Sequence, residues 1–504
     1  MLLGSSPASA PSSSSPLLAR LRARGALAAR TDELAAALRG GRPSLDGAAV
    51  AFLVPPGADF VEVLLAVVAA GGLAVPLSPL HTRPELAYLI GNAEPGLVVA
   101  APELAALARA AAGGRPVVEV PALFAAAAKA AAPPSALAPL VATAPAILLY
   151  TSGTTGKPKG VILSHAAVAA TLTSLEEAWR WRADDRLLHV LPLHHTHGLI
   201  VALLGALWAG AALAFLPFDA ERVWDRLGEA TVFMAVPTMY AKLLDAYWAA
   251  PAERRAGWSA GARRLRLFTS GSAALAAPLL RAFREATGQT ILERYGMTEI
   301  GMALSNRYDG ARVAGAVGVP LPGVTVDIVG DDEQPVADGQ PGELRVRTSQ
   351  LFTGYLGDDA ATAASFDGAG RFRTGDTGAR DPGDGLIRLL GRTSVDVLKS
   401  GGYKISALEI EAALREHPAV ADIAVVGLPD PSLTWGDLVT ACVVPRAGAT
   451  LTLDELKAFA RDRLAVYKIP RALHLYDALP RNAMGKIQKK QLLHALTAAG
   501  EGPA

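Results

Sequence analysis

The sequence predicts an α/β fold in two parts: a large N-terminal body of several subdomains and a small, mobile α+β domain at the C-terminal end. Strand-like and helix-like apolar segments alternate up to about residue 310, which is typical of parallel-rich sheets covered by helices. Beyond that point apolar and polar residues alternate singly, as in the half-exposed antiparallel strands of a β-barrel-like part. The final segment of roughly 100 residues combines an amphipathic helix with two apolar strands.

The predicted parallel strands share one feature, which is that each runs into glycine, proline or serine. "AVAFLV" at 49–54, a helix over 58–72 and "LAVPL" at 73–77 indicate strand, helix and strand. Four later strands show the same pattern: "AILLY" at 146–150, "RLLHVLP" at 186–192, "TVFMAVP" at 231–237 and "RLRLFTSG" at 264–271. Because open parallel sheets bind ligands at the carboxyl ends of their strands, we expect functional residues in the loops that follow.

The N-terminal 30 residues differ in composition from the rest of the chain. Residues 1–30 contain no acidic residue but many serines and several arginines, which predicts a disordered leader or an organelle transit segment. Residues 31–392 are then the body, and residues 397–504 are the C-terminal domain.

Overall charge and hydrophobicity exclude some classes of partner. With a net charge of +1 and no basic stripe among its 504 residues, the chain offers no field for nucleic acid or anionic membranes. The uncharged stretch 199–216 is interrupted by Gly205 and Gly210 and ended by Pro217. It therefore predicts a buried helix, a turn and a strand rather than a membrane span.

The single cysteine, Cys442, excludes an intrachain disulfide and a cysteine-rich zinc site. It lies in "LVTACVV", which predicts a buried strand and fits a reducing compartment. We expect a cytoplasmic protein, or one of the mitochondrial or plastid matrix if the leader is a transit segment.

The segment "LLYTSGTTGKPKGV" at 148–161 places glycines, hydroxyl groups and two lysines directly after an apolar strand. It is not a Walker loop, because only two residues separate Gly153 from Gly156 and Lys157 is followed by Pro158, which has no N–H to donate. Backbone N–H groups, hydroxyls and ammonium groups can still wrap the β and γ phosphates of a triphosphate. The segment predicts a phosphate-holding loop of another kind.

Six motifs in order give the chain its resemblance to a known family. They are "YTSGTTGKPKG" at 150, "LPLHHTHG" at 191, "RYGMTE" at 294, "RTGDTG" at 373, "GRTSVDVLKSGGYKIS" at 391 and "PRNAMGKIQKKQL" at 480. The chain resembles the adenylate-forming acyl-CoA synthetases from about residue 30 to its end. The resemblance implies ATP- and Mg²⁺-dependent activation of a carboxylate to an acyl-adenylate, followed by transfer to the thiol of coenzyme A.

The resemblance also implies roles for individual residues. Lys486, Glu299 and His195 would be catalytic, with Lys486 stabilising charge between the carboxylate and the α-phosphate. Glu299 and Thr151 would hold Mg²⁺, a cation that prefers oxygen ligands. Residues matching the ATP site are Thr151, Ser152, Gly153, Thr154, Thr155, Gly156, Lys157, Lys159, Gly271, Ser272, Ala273, Tyr295, Gly296, Thr298, Asp376, Arg392 and Lys486.

A hinge would let the C-terminal domain exchange one face for another between the two half-reactions. It would lie at residues 393–396, and its pivot stays open among Ser394, Val395 and Asp396, because this segment is one residue longer than in many relatives. Residues matching the coenzyme A site are Lys399, Ser400, Gly401 and Gly402. Lys489 and Lys490, which follow the catalytic lysine, are expected to be solvated.

Arg294, just before "YGMTE", replaces the small residue found in most relatives. A guanidinium beside a substrate pocket is costly unless paired, and a second substrate carboxylate would pair it. Together with "HHTHG" and "GRTSVDVLK", it resembles the malonyl-CoA synthetase branch. Malonate, and with it methylmalonate, is therefore the expected substrate, with its carboxylates held by Arg294, His195, His197 and Ser270.

Several alternatives remain open at this level. Arg294 could instead pair internally with Glu293 or another acid, and the "HHTHG" histidines could bind a metal ion. The enzyme could be a short- or medium-chain monocarboxylate–CoA ligase, or could deliver the acyl group to a separate carrier protein. A non-catalytic protein that senses ATP or an acyl-adenylate is the alternative from another class.

Overall fold

The computed structural model describes residues 15–27, 29–129, 140–151, 158–393, 395–400, 403–429, 437–481 and 487–500. Its first region is a seven-stranded sheet in the order β4–β3–β1–β2–β5–β6, with the later strand Gly354–Tyr355 at the β6 edge. Strands β1 to β5 run parallel, and β6 runs antiparallel to β5. The elements are α1 (Pro16–Ala23), α2 (Ala29–Arg39), β1 (Ala49–Leu53), α3 (Ala58–Ala69), β2 (Leu73–Pro76), α4 (Arg83–Ala93), β3 (Leu97–Ala100), α5 (Ala105–Ala111), β4 (Val117–Glu119), α6 (Val120–Lys129), β5 (Pro145–Thr151) and β6 (Lys159–Ser164).

A second seven-stranded sheet follows, in the order β13–β12–β11–β10–β9–β7–β8. The five strands from β7 to β11 run parallel, as the sequence predicts, and β12 and β13 are antiparallel additions. Its elements are α7 (His165–Trp179), β7 (Arg186–His189), a π-helix (His197–Leu204), α8 (Gly205–Ala209), β8 (Ala212–Phe215), α9 (Ala220–Leu227), β9 (Val232–Ala235), α10 (Pro237–Ala249), α11 (Ala252–Ala262), β10 (Leu267–Ser270), α12 (Ala277–Thr287), β11 (Leu292–Met297), β12 (Gly301–Ser305) and β13 (Val319–Pro320).

The predicted switch to antiparallel strands is confirmed in the third region. The region that was predicted to be barrel-like is a four-stranded antiparallel sheet of β14, β15, β17 and β18. The elements are β14 (Val324–Val329), β15 (Gly342–Thr348), β16 (Gly354–Tyr355), α13 (Asp359–Ala364), β17 (Phe372–Arg380) and β18 (Ile387–Arg392).

The C-terminal domain has its own hydrophobic core, as expected of an α+β unit. A two-stranded hairpin precedes a three-stranded sheet in the order β21–β22–β23, and Cys442 is buried in β22. The elements are β19 (Val397–Ser400), β20 (Tyr403–Ser406), α14 (Ala407–Leu414), β21 (Val420–Pro429), β22 (Asp437–Pro445), α15 (Leu453–Arg461), β23 (Ala472–Leu475) and α16 (Lys489–Gly500).

The predicted leader requires a correction. Helix α1 lies inside residues 1–30, yet Leu17 and Leu21 are buried and the helix packs against α7 and α8. The hydroxyl of Ser15 lies 2.9 Å from Nδ1 of His165. The prediction of a disordered leader is therefore wrong from Ser15 onward, because the leucines of "PLLARL" have an apolar face to bury.

The uncharged stretch at 199–216 forms a buried π-helix, helix α8 and strand β8, as the sequence predicts. Gly210 ends α8 in the left-handed conformation with a φ of 77°, which glycine adopts without strain. Within the described ranges, no helix combines the length and apolarity that crossing a membrane requires.

Candidate active site

Strands β10 and β11 bring the predicted acid-binding residues to one end of the second sheet. β10 ends at Ser270, which pairs in register with Glu293 of β11, so that Arg294 lies just beyond it. A Cβ added at Gly271 would collide with Cζ of Arg294, so the guanidinium lies directly against the backbone of this glycine. Arg294 is 3% exposed and Ser270 is fully buried.

Arg294 carries polar atoms that the described residues leave unpaired. Its Nε and Nη2 are buried without a hydrogen-bond partner in the part of the chain that the structure describes. Burial lowers the pKa of Arg294 to about 10, so the guanidinium is still charged at neutral pH. Charged groups are rarely buried in this way unless a partner binds to them.

The internal alternative, an ion pair between Arg294 and Glu293, is not formed. Neighbouring residues of a strand point to opposite faces, and Oε1 of Glu293 instead accepts the backbone N–H of Leu275 at 2.9 Å. Among the described residues no acid lies within ion-pair distance of Arg294. Its charge is therefore available to a ligand.

Of the predicted histidines, His197 lies beside Arg294. Both ring nitrogens of His197 are buried without a partner among the described residues. Burial, and secondarily the charge of Arg294, hold the pKa of His197 well below its ordinary value. Nε2 of His195 is likewise buried and unpaired within the described ranges, and burial lowers the pKa of His195 to about 4. Both imidazoles are neutral at pH 7, so each ring can donate one hydrogen bond.

Two further histidines extend this group: His194, which belongs to the "HHTHG" motif but was not assigned to the acid pocket, and His81, which lies in none of the six motifs. The ring centroids of His194 and His195 lie 4.0 Å apart, and those of His81 and His194 lie 5.3 Å apart. His81 follows strand β2 in the other sheet, so sequence spacing carries no signal for it. Across the described residues, no cluster of three histidine, cysteine or acidic side chains could hold a metal ion. The metal alternative for "HHTHG" is thus without support there.

The predicted nucleotide residues Tyr295, Asp376 and Arg392 lie together where the second and third sheets meet. The hydroxyl of Tyr295 donates to Oδ2 of Asp376 at 2.5 Å, and Nε of Arg392 lies 3.0 Å from Oδ1. Nη1 of Arg392 also donates to the carbonyl of Thr374 at 2.7 Å. Asp376 and Arg392 face each other in the β17–β18 register. This arrangement fixes a carboxylate that can accept hydrogen bonds from a ribose diol.

The predicted magnesium ligand Glu299 is 5% exposed, and the hydroxyl of Tyr355 donates to its Oε1 at 3.0 Å. Nζ of Lys159 lies 4.9 Å from the Tyr355 ring centroid, and the hydroxyl of Thr151 donates to the Lys159 carbonyl at 3.5 Å. The sequence missed Tyr355, because a lone aromatic in a two-residue strand has no distinctive spacing. Thr151, Lys159 and Glu299 are therefore brought into one neighbourhood.

The residues around Glu299 fit a magnesium ion. Burial raises the pKa of Glu299, which means that a nearby cation would stabilise its ionised form. Among the described residues, Glu299 is not part of a group of three or more histidine, cysteine or acidic side chains that could hold a metal ion. Mg²⁺ commonly takes one or two carboxylates and fills its other positions with water and substrate phosphates. Glu299 thus fits an ion that arrives with a triphosphate.

Other predicted residues lie in irregular or close-packed backbone. Ser272 has a φ of 68°, an unusual conformation for a residue with a side chain, and such strain is concentrated at functional sites. A Cβ at Gly296 would collide with the carbonyl oxygen of Gly301. The hydroxyls of Thr196 and Thr298 lie 2.8 Å apart and link "HHTHG" to "YGMTE". Ala273 is exposed in the loop after β10.

Some predictions fall outside the described residues, and these are Ser152, Gly153, Thr154, Thr155, Gly156, Lys157, Ser394, Gly401, Gly402 and Lys486. Of the coenzyme A residues, Lys399 and Ser400 lie in β19, and the hydroxyl of Ser400 is buried without a partner within the described part of the chain. The expectation that Lys489 is solvated is wrong. Its side chain is 8% exposed and ion-paired with two acids, whereas Lys490 is exposed as expected.

Comparisons with known proteins agree with the motifs. The family model "AMP-binding enzyme" matches residues 25–356, and "AMP-binding enzyme C-terminal domain" matches residues 409–486. The chain is 42% identical over 485 residues to "Malonate--CoA ligase ACSF3, mitochondrial" of Mus musculus, covering 90% of this chain and 82% of that protein.

Two solved structures are similar to most of the chain. ATP-bound MatB from Rhodopseudomonas palustris is 36% identical with a TM-score of 0.83, covering 96% of this chain and 93% of that one. A malonyl-CoA ligase in a ternary product complex with methylmalonyl-CoA and AMP is 38% identical with a TM-score of 0.61, covering 89% and 94%. The chain therefore belongs to the family of AMP-binding enzymes, the adenylate-forming family that its six sequence motifs predict.

Proposed function

We propose that the chain is a malonate–CoA ligase, an AMP-forming acid–thiol ligase that converts malonate, ATP and coenzyme A into malonyl-CoA, AMP and pyrophosphate. The observation that carries this proposal is the buried, charged Arg294 with two nitrogens unpaired in the described residues. The name of the 42% identical murine relative and the methylmalonyl-CoA in a similar solved structure support the same substrate class.

Arg294 selects a diacid through the cost of leaving its charge unpaired. The near carboxylate of malonate reacts with ATP, and the far carboxylate pairs with the guanidinium in the planar geometry that arginine favours. Propionate has a methyl group at that position and would leave the charge buried and unpaired, which a site of this kind rejects strongly. Methylmalonate keeps both carboxylates and is proposed as the second substrate.

His195, His197 and Ser270 are proposed to hold the carboxylate oxygens. His197 and Ser270 have buried polar atoms free within the described residues, and His197 interacts electrostatically with Arg294. Neutral imidazoles suit this role, because they donate a hydrogen bond without adding a second buried charge beside Arg294. His195 is proposed to contact the carboxylate that reacts.

In the first half-reaction a carboxylate oxygen of malonate forms a bond to the α-phosphorus of ATP, and the bond to the β-phosphate oxygen breaks. Asp376 is proposed to hold the ribose, and residues 151–159 the departing phosphates. Mg²⁺, when held by Glu299 and Thr151, supplies positive charge to the phosphate oxygens. Lys486 is proposed to stabilise the charge that develops between the two reacting groups.

In the second half-reaction the thiolate of coenzyme A forms a bond to the acyl carbon, and AMP leaves with the oxygen that joined them. Residues 399–402 are proposed to lie along the pantetheine arm, where glycines admit it close to the backbone. We propose three functional parts: the body, 31–392 together with helix α1, the hinge, 393–396, and the C-terminal module, 397–504. The module is proposed to rotate at the hinge between the two half-reactions.

Pyrophosphate release with a panel of acids tests the proposal. Acetate, propionate, malonate, methylmalonate and succinate are each supplied with ATP and Mg²⁺, with free coenzyme A, with a holo-carrier protein, or with neither. Malonate should give the highest kcat/KM, methylmalonate the next, and free coenzyme A should accept the acyl group. A preference for acetate or propionate, or transfer only to the carrier, would replace the proposed function by a monocarboxylate or carrier-dependent enzyme.

The compartment is a separate proposal. A lone cysteine, buried in β22, supports a reducing compartment, for which the cytoplasm is our first choice. The mitochondrial or plastid matrix is the alternative, and the murine relative is named as a mitochondrial protein. Fractionation of the source cells, followed by immunodetection of the chain, distinguishes the two.

A further inference from the structure

Lys489, Asp396 and Glu411 form a buried ionic cluster that the proposed chemistry does not use; we refer to these three residues as the Lys489 cluster. Nζ of Lys489 lies 2.5 Å from Oδ1 of Asp396 and 2.6 Å from Oε1 of Glu411. The lysine side chain is 8% exposed and the two acids are 14% and 6% exposed. Lys489 begins helix α16, three residues after Lys486, and Asp396 is the last residue of the predicted hinge.

Glu411 secures the cluster inside the C-terminal module. It lies on helix α14, and its Oε1 also accepts the backbone N–H of Val425 in β21 at 2.7 Å. Burial alone would lower the pKa of Lys489, but the two carboxylates raise it overall, so the ammonium stays charged. The contacts between Lys489 and Glu411 thus join α16, α14 and β21 within one module.

Asp396 forms hydrogen bonds with both the body and the C-terminal module. On the body side, its Oδ2 accepts the backbone N–H of Arg392 at 2.9 Å, and its own N–H donates to the Arg392 carbonyl at 2.7 Å. On the module side, its Oδ1 binds Lys489, and its carbonyl accepts the N–H of Ala407 at 2.7 Å. Gly391 leaves room for this turn, because a Cβ there would collide with the Asp396 side chain.

The bonds of Asp396 to the module are stronger than its bonds to the body. Removing one partner of a buried ion pair costs several times what a single backbone hydrogen bond contributes, because the remaining charge stays buried. A rotation of the module would therefore break the two hydrogen bonds to Arg392 and keep the bond to Lys489. Asp396 then travels with the module, and the hydrogen bonds that yield are those between Asp396 and Arg392.

We propose that Lys489, the first residue of helix α16, is a positioning residue that fastens the hinge carboxylate of Asp396 to the C-terminal module at a point three residues after Lys486 in sequence. This inference rests on the proposed function, in which Lys486 acts only in adenylation. Lys399 and Ser400 follow Asp396 in strand β19 (Val397–Ser400), so the covalent chain sets their placement relative to the hinge. Loss of the bond between Lys489 and Asp396 should therefore impair adenylation more than acyl transfer to coenzyme A.

The test measures the two half-reactions separately in Lys489→Met, which keeps the length of the side chain and removes the ammonium. Adenylation is followed by acid-dependent ATP–pyrophosphate exchange, and transfer by single-turnover thioester formation from supplied acyl-adenylate. We expect the ratio of adenylation to transfer rates to fall about tenfold. Glu411→Gln is the matched control: it removes a charge from the same cluster but leaves the bond between Lys489 and Asp396, and it should keep the wild-type ratio.

An equal loss of both rates in Lys489→Met, or a ratio that Glu411→Gln lowers to the same degree, would show that Lys489 only stabilises the fold and would overturn the inference. If Lys489→Met does not fold, Asp396→Asn tests the other end of the same bond, and an unchanged ratio in that variant overturns the inference as well. Both assays use whichever acid the wild-type enzyme turns over fastest. If malonate is not the substrate, the proposed role of Lys489 can therefore still be tested.

Discussion

Buried polar atoms without partners mark the acid pocket at the scale of single residues. Nε and Nη2 of Arg294, both ring nitrogens of His197 and the hydroxyl of Ser270 are unpaired in the described residues. Each such group costs about 1–3 kcal/mol when left unsatisfied. A ligand with several acceptor oxygens would pair these groups and remove the cost. A dicarboxylate has four such oxygens.

Gly271→Ala should impair malonate use without unfolding the protein. The new Cβ collides with Cζ of Arg294, so the guanidinium must move away from its present position. We expect kcat/KM for malonate to fall about 10- to 100-fold, because misplacement by about 1 Å is costly in a reacting complex. Gly257→Ala, in exposed space on helix α11, is the control for the substitution itself. Unchanged malonate kinetics in Gly271→Ala would contradict the placement of Arg294.

Glu293 gives a pH-dependent prediction. Burial raises its pKa from 4.5 to about 7, so its contribution to stability is present at low pH and is lost as the pH rises through about 7. Glu293→Gln removes this ionisation while the side chain can still accept the N–H of Leu275. Between pH 6 and pH 8, the variant should gain about 1 kcal/mol of unfolding free energy relative to wild type.

Urea denaturation at several pH values measures this difference. The buried neutral histidines also titrate on unfolding, but they do so equally in both proteins, and their contribution cancels in the difference. A difference that does not change between pH 6 and pH 8 would place the pKa of Glu293 outside this range.

At the scale of elements, helix α1 shows how composition can mislead. The serine- and arginine-rich N-terminal segment lacks acids, which is typical of leaders, but Leu17 and Leu21 form an apolar face that packs against the body. Arg20 also pairs with Glu176 of α7 at 2.7 Å. These partners lie about 150 residues away in sequence, so the local pattern could not reveal them.

Leu21→Ala tests the integration of α1 into the body. The side chain is fully buried, and its truncation should lower the unfolding free energy by about 2–5 kcal/mol. Ala19→Ser, at an exposed position of the same helix, should change it by less than about 0.5 kcal/mol. Chemical denaturation of both variants provides the measurement. Equal stability of Leu21→Ala and wild type would mean that α1 is dispensable, as a leader would be.

Elements with strong local patterns were predictable. The alternation of apolar strands and helices predicted β1, β2, β5, β7, β8, β9 and β10, and the single alternation of apolar and polar residues predicted β14, β15 and β18. The buried state of Lys489 was not predictable, because the run "KIQKKQ" indicates a solvated face. Its partner Asp396 lies 93 residues away in sequence, and only the tertiary fold joins them.

For the whole molecule, motif order predicted the family, and the fold then assembled most of the described site. Three sheets contribute: the second supplies Arg294 and Ser270 and, in the turn between β11 and β12, Glu299. The third supplies Asp376 and Arg392, and the first supplies Thr151 and Lys159. His81 and Tyr355 were missed because each comes from a distant segment with no motif of its own. The roles of Lys486 and of residues 152–157 stay predictions, since these residues lie outside the described ranges.

The specificity ratio of Arg294→Ala tests the central claim most directly. kcat/KM for malonate and for propionate is measured by pyrophosphate release in the wild-type enzyme and the variant, after circular dichroism shows that both are folded. We predict that malonate use falls about a thousandfold or more while propionate use is unchanged or improved, because the variant loses the charge that pairs with the far carboxylate. Malonate use within about tenfold of wild type would contradict the assignment of Arg294 to that carboxylate.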